Sequence, residues 1–266
     1  IKAGIALADF NDNGKDDMVI GTDNDNILLF YDDGTLASGF PFIAGDKFQS
    51  SPAILDINDE KIIFAGCNDY NFYSINSDGS LRFTITTGDR VNTSPSFLNV
   101  NNSLYAFFGS KDDYIYAVDM NGINLDGWPI MLGSNIEEGI VFADIEGNSS
   151  PEIIAVSDAG FISVFLLDGT LYHHFPIDNG LPFTSPPLIV DLDNDYDLEI
   201  ITGSINSLSV IDIKEIGNTI SHWNMFRGNQ MRSGYYVFSD SSECGADTGD
   251  VNGDLIINIL DLVQIA

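Results

Sequence analysis

Short apolar runs, separated by polar turns, cut this chain into strand-length pieces. SPAILDI, KIIFAG, NFYSIN and LRFTIT follow one another in residues 51–86. The first two are almost continuously apolar, as strands buried on both faces should be. The last two mix apolar and polar positions and should lie further out. Asp78-Gly79 stands between the third and fourth runs, and an Asp-Gly pair there predicts a tight type I′ hairpin, because both central residues need positive φ. No helical period of useful length occurs before residue 250.

The four-run unit repeats. Asp9, Asp56, Asn99, Asp144 and Asp191 each follow the first run of a copy and recur every 43–47 residues. Gly34, Gly79, Gly122, Gly169 and Gly217 keep the same time. SSPAILDI, TSPSFLNV and TSPPLIVDL share a Ser-Pro lead, whereas AGIALADF and EGIVFADI share a Gly-Ile one. Four-stranded units of roughly 40–50 residues arranged about an axis describe a β-propeller. The fold class expected is therefore all-β, with five visible blades at about 1–48, 49–91, 92–136, 137–183 and 184–238. The fifth copy supplies only SPPLIVDL, LEIITG and SLSVIDI before the pattern breaks. Its missing strand is expected from a distant part of the chain, SGYYVF or a segment upstream.

Charge narrows the function. The 266 residues hold 40 acidic and 10 basic side chains, a net charge of −30. Nucleic acid and anionic lipid surfaces would be repelled. No apolar run approaches the roughly 18 residues that cross a bilayer, so neither nucleic-acid binding nor membrane insertion is expected. The carboxylates gather in loops. In DFNDNGKDDMVIG, oxygen side chains fall at alternate positions, Asp9, Asn11 and Asn13, with Asp17 beyond and Gly14 at the bend. This spacing suits a shell around a hard cation. It equally suits a solvated Asp/Asn turn.

The repeated loop and strand resemble the FG-GAP/VCBS repeats of secreted and cell-surface propellers, including those of integrin α heads. The resemblance covers residues 1–217. It implies calcium in three loops: Asp9, Asn11, Asn13 and Asp17; Asp144, Glu146, Asn148 and Glu152; Asp191, Asp193, Asp195 and Glu199. Lys15, Ser150 and Asp197 would each offer a backbone carbonyl. The second loop has Phe64 where the closing carboxylate belongs, and the third begins at Asn99 and also lacks one, so neither is expected to hold an ion. After a polar linker at 239–249, DVNGDLIINILD places Asp250, Asn252, Asp254, Ile256, Asn258 and Asp261 at calcium-loop positions. Residues 250–266 resemble the first, EF-hand-like half of a type I dockerin domain, implying a fourth calcium. A cohesin-like partner would need the full dockerin. Leu255 departs from the glycine usual at the turn.

Two smaller likenesses qualify this reading. YAVDMNGINLDGWP is similar to one stretch of quinoprotein propellers, but a single copy makes no quinone site, and Trp128, Phe40 and Phe175 read as blade-packing residues. HWNMFRGNQMRSGYY resembles a segment that follows the last blade in secreted repeat proteins. Arg227 and Arg232 within it are expected to pair with carboxylates where the ring closes.

No GxSxG, zinc motif or P-loop is present. His173 and His174 are neighbours on an expected strand, so they should face opposite sides and hold no metal together. Cys67 and Cys244 either pair or stay reduced. The chain opens inside a strand pattern, so a secretion signal is expected outside it, with a secreted or cell-surface location. Two classes of function remain. One is a non-catalytic binding, adhesion or structural module for an extracellular glycan, a protein or a second copy of itself. The other is a carbohydrate-active enzyme, a polysaccharide lyase or glycoside hydrolase carrying a dockerin. Carboxylates converging with Arg, Lys or His in the funnel, away from the acidic loops, would favour the enzyme.

Overall fold

The computed structural model describes residues 3–238. The calcium-type repeat at 250–261, the linker and Cys244 lie outside the described residues. Twenty strands form five sheets. The first contains β1 (Ile5–Ala8), β2 (Asp17–Gly21), β3 (Asn26–Phe30) and β4 (Phe42–Ile43). The second contains β5 (Ala53–Ile57), β6 (Glu60–Gly66), β7 (Asn71–Asn76) and β8 (Leu81–Thr86), within a residue or two of the runs in the sequence. The third holds β9 (Ser96–Val100), β10 (Ser103–Gly109), β11 (Tyr114–Asp119) and β12 (Ile130–Met131), and the fourth β13 (Val141–Ala143), β14 (Glu152–Val156), β15 (Phe161–Phe165) and β16 (Ile177–Asp178). The fifth has three strands, β17 (Leu188–Val190), β18 (Asp197–Gly203) and β19 (Leu208–Ile216).

Alternation along the strands stacks the sheets in chain order. Ile54, Ile63, Ala65 and Ile75 join Ala6, Val19, Ile27 and Leu29 of the first sheet in one core. Their neighbours Leu55, Ile62, Phe64 and Phe72 face the other way, into a core shared with Phe97, Phe107 and Phe108 of the third sheet. Phe72 lies flat on Phe108 at 3.8 Å between ring centroids, and Phe108 in turn on Tyr116 at 5.0 Å. Val141, Ile154 and Val164 of the fourth sheet meet Ile189, Leu198 and Ile200 of the fifth. A sheet with both faces covered needs continuous apolar runs, which is why the first two strands of each copy carry them.

The turns depart from expectation. At Asp78-Gly79 only Gly79 has positive φ, +81°; its N–H donates to Asn76 O at 2.9 Å, while Asn76 N donates to Ser80 O. This is a type I turn closed by a glycine bulge, and Gly34, Gly122 and Gly169 repeat it. The two-residue turns with both φ positive sit instead between the first and second strands, at Asn58-Asp59 and Asn101-Asn102. The His173-His174 pair lies in a turn rather than a strand, and its rings stand 4.8 Å apart. The strand reading failed because His174 adopts φ +67°.

The closing segment also differs. SGYYVF does not complete the fifth sheet. As β20 (Tyr235–Phe238) it pairs parallel with β5, at the innermost edge of the second sheet. Before that, residues 218–234 run past the inner edges of four sheets. Phe142 N donates to Trp223 O, Ile189 N to Asn224 O, Leu7 N to Ser233 O and Ile54 N to Gly234 O, at 2.7–3.1 Å. Strands at an open edge leave backbone groups unpaired, and this strap pairs them. Arg227 is its anchor, 3% exposed. Its guanidinium donates to carbonyls of Arg232, Pro52, Ile5 and Ser233, at 2.6–3.1 Å. The carboxylate partner expected for it is replaced by carbonyls, because the strap brings it against inner-strand backbone rather than the acidic loops.

Candidate metal centre

The loops between the first and second strands fall into two kinds. In the second and third sheets they are the two-residue turns. Asp56, in the second, is 5% exposed and meets the Lys61 ammonium at 3.4 Å and the Tyr235 hydroxyl at 2.7 Å. In the first, fourth and fifth sheets the loops are long, and three independent sequences fold to one pattern. The leading aspartate turns both oxygens onto loop N–H groups: Asp9 onto Asn13 and Gly14, Asp144 onto Asn148 and Ser149, Asp191 onto Asn194 and Tyr196. The middle residue accepts the N–H two positions on, as Asn13 does from Lys15, Asn148 from Ser150 and Asp195 from Asp197. The closing carboxylate reaches back seven residues: Asp17 to Phe10 N at 2.8 Å, Glu152 to Ile145 N at 2.9 Å and Glu199 to Leu192 N at 2.6 Å. These closing residues are 0%, 1% and 4% exposed. Asn11 and Glu146 lie exposed on their loops, and the Glu146 carboxylate accepts from Asn148 Nδ2 at 2.6 Å.

The fifth-sheet loop draws its acids together most closely. Oxygens of Asp193, Asp195, Asp197 and Glu199 lie within 4.8 Å of one another. Asp191, the leading residue, is outside this quartet. Asp197, expected to offer a carbonyl, also brings its carboxylate into this quartet. Asp197 Oδ1 is buried without a hydrogen-bond partner. A buried polar oxygen left unpaired costs stability until something binds it. The Asp195 carboxyl beside it, then burial, pushes Asp197 up to about 6, while the Asp197 side chain and N–H hold Asp195 below the usual range. In the fourth-sheet loop, burial, with Glu146 and Asp144 nearby, pushes Glu152 up to about 7. Crowded carboxylates that retain protons are what a divalent cation relieves. The donor set is all oxygen, which fits a hard cation.

A second polar group sits at the opposite end of the strands. Lys111 pairs with Glu137 at 2.6 Å. Burial, then Asp158 and Glu137, pushes the adjacent Glu138 up to about 7, and burial and Glu137 raise Asp158. Nothing in the spacing of these residues marked them, because they come from the second-to-third strand turns and the strand leads of different copies. A cleft of about 750 Å³ lies between the strap and the fifth sheet, lined by Pro186, Leu188, Ile201, Leu208, Met225 and Phe226. Leu208 and Val210 on that sheet are 70% and 47% exposed.

No family model and no curated protein matches the sequence. Solved structures do match. BamB from Moraxella catarrhalis aligns with a TM-score of 0.54 and 14% identity over 79% of this chain and 57% of that one. BBS1N, solved in complex with ARL6DN, gives 0.57 and 9% over 81% and 67%. The WD40 beta propeller domain of Doa1 gives 0.54 and 16% over 79% and 63%. The chain thus spans between 57% and 67% of the length of these proteins. The likeness establishes a β-propeller fold.

Proposed function

We propose that this chain is a calcium-stabilised β-propeller of the FG-GAP/VCBS kind, acting outside the cell or at its surface as a non-catalytic binding, adhesion or structural module. Its ligand would be a glycan, a protein or another copy of the chain. A dockerin-like C-terminal segment with a calcium of its own would attach it to a cohesin-bearing scaffold if the dockerin is whole. The observation that carries the calcium reading is the convergence of Asp193, Asp195, Asp197 and Glu199 with Asp197 Oδ1 unpaired. Calcium would be held there, by Asp9, Asn11, Asn13 and Asp17 in the first loop, and by Asp144, Glu146, Asn148 and Glu152 in the fourth. Its chemistry is charge neutralisation: it fixes loops whose carboxylates otherwise repel one another. Buried closing carboxylates at the roots of β2, β14 and β18 then transmit that order to the sheets. A structural pin of this sort accounts for the repeated loop without requiring catalysis.

The test is thermal. Saturating calcium should raise Tm by several degrees and EDTA should reverse it, because a ligand that binds only the folded chain stabilises it by linkage. The double variant D193N/D195N should lose part of that response. A Tm indifferent to both calcium and EDTA would overturn the reading. The Lys111–Glu137–Glu138–Asp158 group favours one second reading, a carbohydrate-active enzyme, since a carboxyl held near neutrality can exchange protons. Release of reducing ends or unsaturated uronates from polysaccharides, abolished by E138Q, would support it over the binding module.

A further inference from the structure

Only 10 lysines and arginines serve 266 residues, so where each is placed matters. Two lysines point at the strand-linking acids. Lys61 is 7% exposed, with its ammonium 3.4 Å from Asp56 and 3.6 Å from Asp12 of the first acidic loop. Asp56 is the counterpart of Asp191 in the repeat. In the second sheet, then, a lysine supplies the positive charge in a place where the first, fourth and fifth sheets have long acidic loops.

Lys214 stands in the corresponding relation to the fifth-sheet loop. Its ammonium is 3.6 Å from Asp197 Oδ2 and bonds to Asp212 Oδ2. The backbone is arranged to put it there. Opposite the step from Asp197 to Glu199, β19 moves from Ile216 to Asp212, so it carries extra residues in a bulge. Bulges re-aim side chains. Lys214 sits in that bulge at φ +61°, a left-handed conformation that strains a non-glycine residue. The acid it faces, Asp197, keeps its other oxygen buried and unpaired. One oxygen therefore meets a tethered cation and the other meets none.

We propose that Lys214 is a built-in competitor for the cation site of the fifth-sheet loop, and that it sets the calcium concentration at which that loop fills. This rests on the calcium reading above. At low calcium the ammonium partly neutralises the quartet and keeps the loop folded. At higher calcium the ion takes over Asp197, and Lys214 retains Asp212. Among the described residues the fourth-sheet loop has no such lysine: its leading Asp144 takes a neutral amide, Asn218 Nδ2, at 3.0 Å. The two loops should accordingly fill at different calcium levels, the fourth-sheet loop first.

Hydrogen exchange measured by mass spectrometry on the full chain, across a series of free calcium concentrations, resolves the loops separately. The peptide covering 191–199 reports one and that covering 144–152 the other. Lys214→Met should lower the calcium midpoint of 191–199 by on the order of five-fold, the scale expected for one exposed charge pair, and leave 144–152 unchanged. Lys214→Arg should keep the wild-type midpoint. Should the Met variant fold poorly, Lys214→Gly removes the charge at a backbone angle glycine accepts. An unchanged midpoint in the Met or Gly variant overturns the role of Lys214 alone. No calcium-dependent protection at 191–199 in any variant overturns the calcium reading of that loop as well.

Discussion

At the scale of single residues, charge and backbone partners decide most of what is unusual here. Arg227 satisfies four carbonyls with one planar fork. Lysine has the charge but not the fork, so Arg227→Lys should cost about 2–4 kcal/mol, read as a lowered urea midpoint. A midpoint within error of wild type would mean that the strap docks without its anchor. Glu138 gives a pH signature. Its carboxyl is raised from 4.5 to about 7 by burial and by Asp158 and Glu137. Between those values the folded chain keeps a proton that the unfolded chain has released, so stability is full below about pH 4.5 and falls as pH rises toward 7. Tm recorded against pH should lose this component in E138Q. The leading and closing acids of the three long loops were legible as an alternation of oxygen side chains. The membership of the Asp197 carboxylate was not, since it depends on which way one loop residue turns.

At the scale of elements, the strands were readable because both-face burial writes itself into sequence as uninterrupted apolar runs. The turns were misread where composition permits two geometries: Asp-Gly serves a type I turn with a bulge as readily as type I′. Contacts between elements left a fainter mark. Gly39 and Gly127 touch the glycine turns of the following sheets, where an added Cβ would collide with the carbonyls of Asp78 and Asp168, and both have φ +87°. His174 occupies the same place before Phe175 as these glycines do before Phe40 and Trp128. The fifth sheet lacks the turn that would press on it, so a side chain is tolerated. Gly127→Ala should therefore destabilise by roughly 2–3 kcal/mol, through strain and through separation of the third and fourth sheets. His174→Gly should be near neutral or slightly stabilising by thermal melting. Equal effects at the two sites would contradict this account of the rim.

For the whole molecule, the dominant fact is a net charge of −30. Self-repulsion of that size opposes compactness and is screened by salt. Raising sodium chloride from about 10 mM to about 150 mM, where the screening length falls from roughly 30 to 8 Å, should raise Tm in the presence of EDTA, and raise it less with calcium bound. A falling Tm would place the stabilising electrostatics elsewhere, in ion pairs such as Lys111–Glu137. The propeller itself was visible in three landmarks recurring together. The path of the strap was not, because β20 could have joined the fifth sheet by pattern alone, and only the free inner edge of β5 decides otherwise.

That path has a mechanical consequence. β20 runs parallel to β5, with Tyr235 beside Ile54 and Phe238 beside Ile57. A load applied beyond Phe238 and directed along the strand pulls across every bond of this ladder at once, in shear, rather than peeling them one at a time. The same load reaches Arg227 and, through it, backbone of the first and second sheets. Tension at this end would thus be shared among inner strands instead of opening the outer rim, so the molecule would hold its shape as a link under strain.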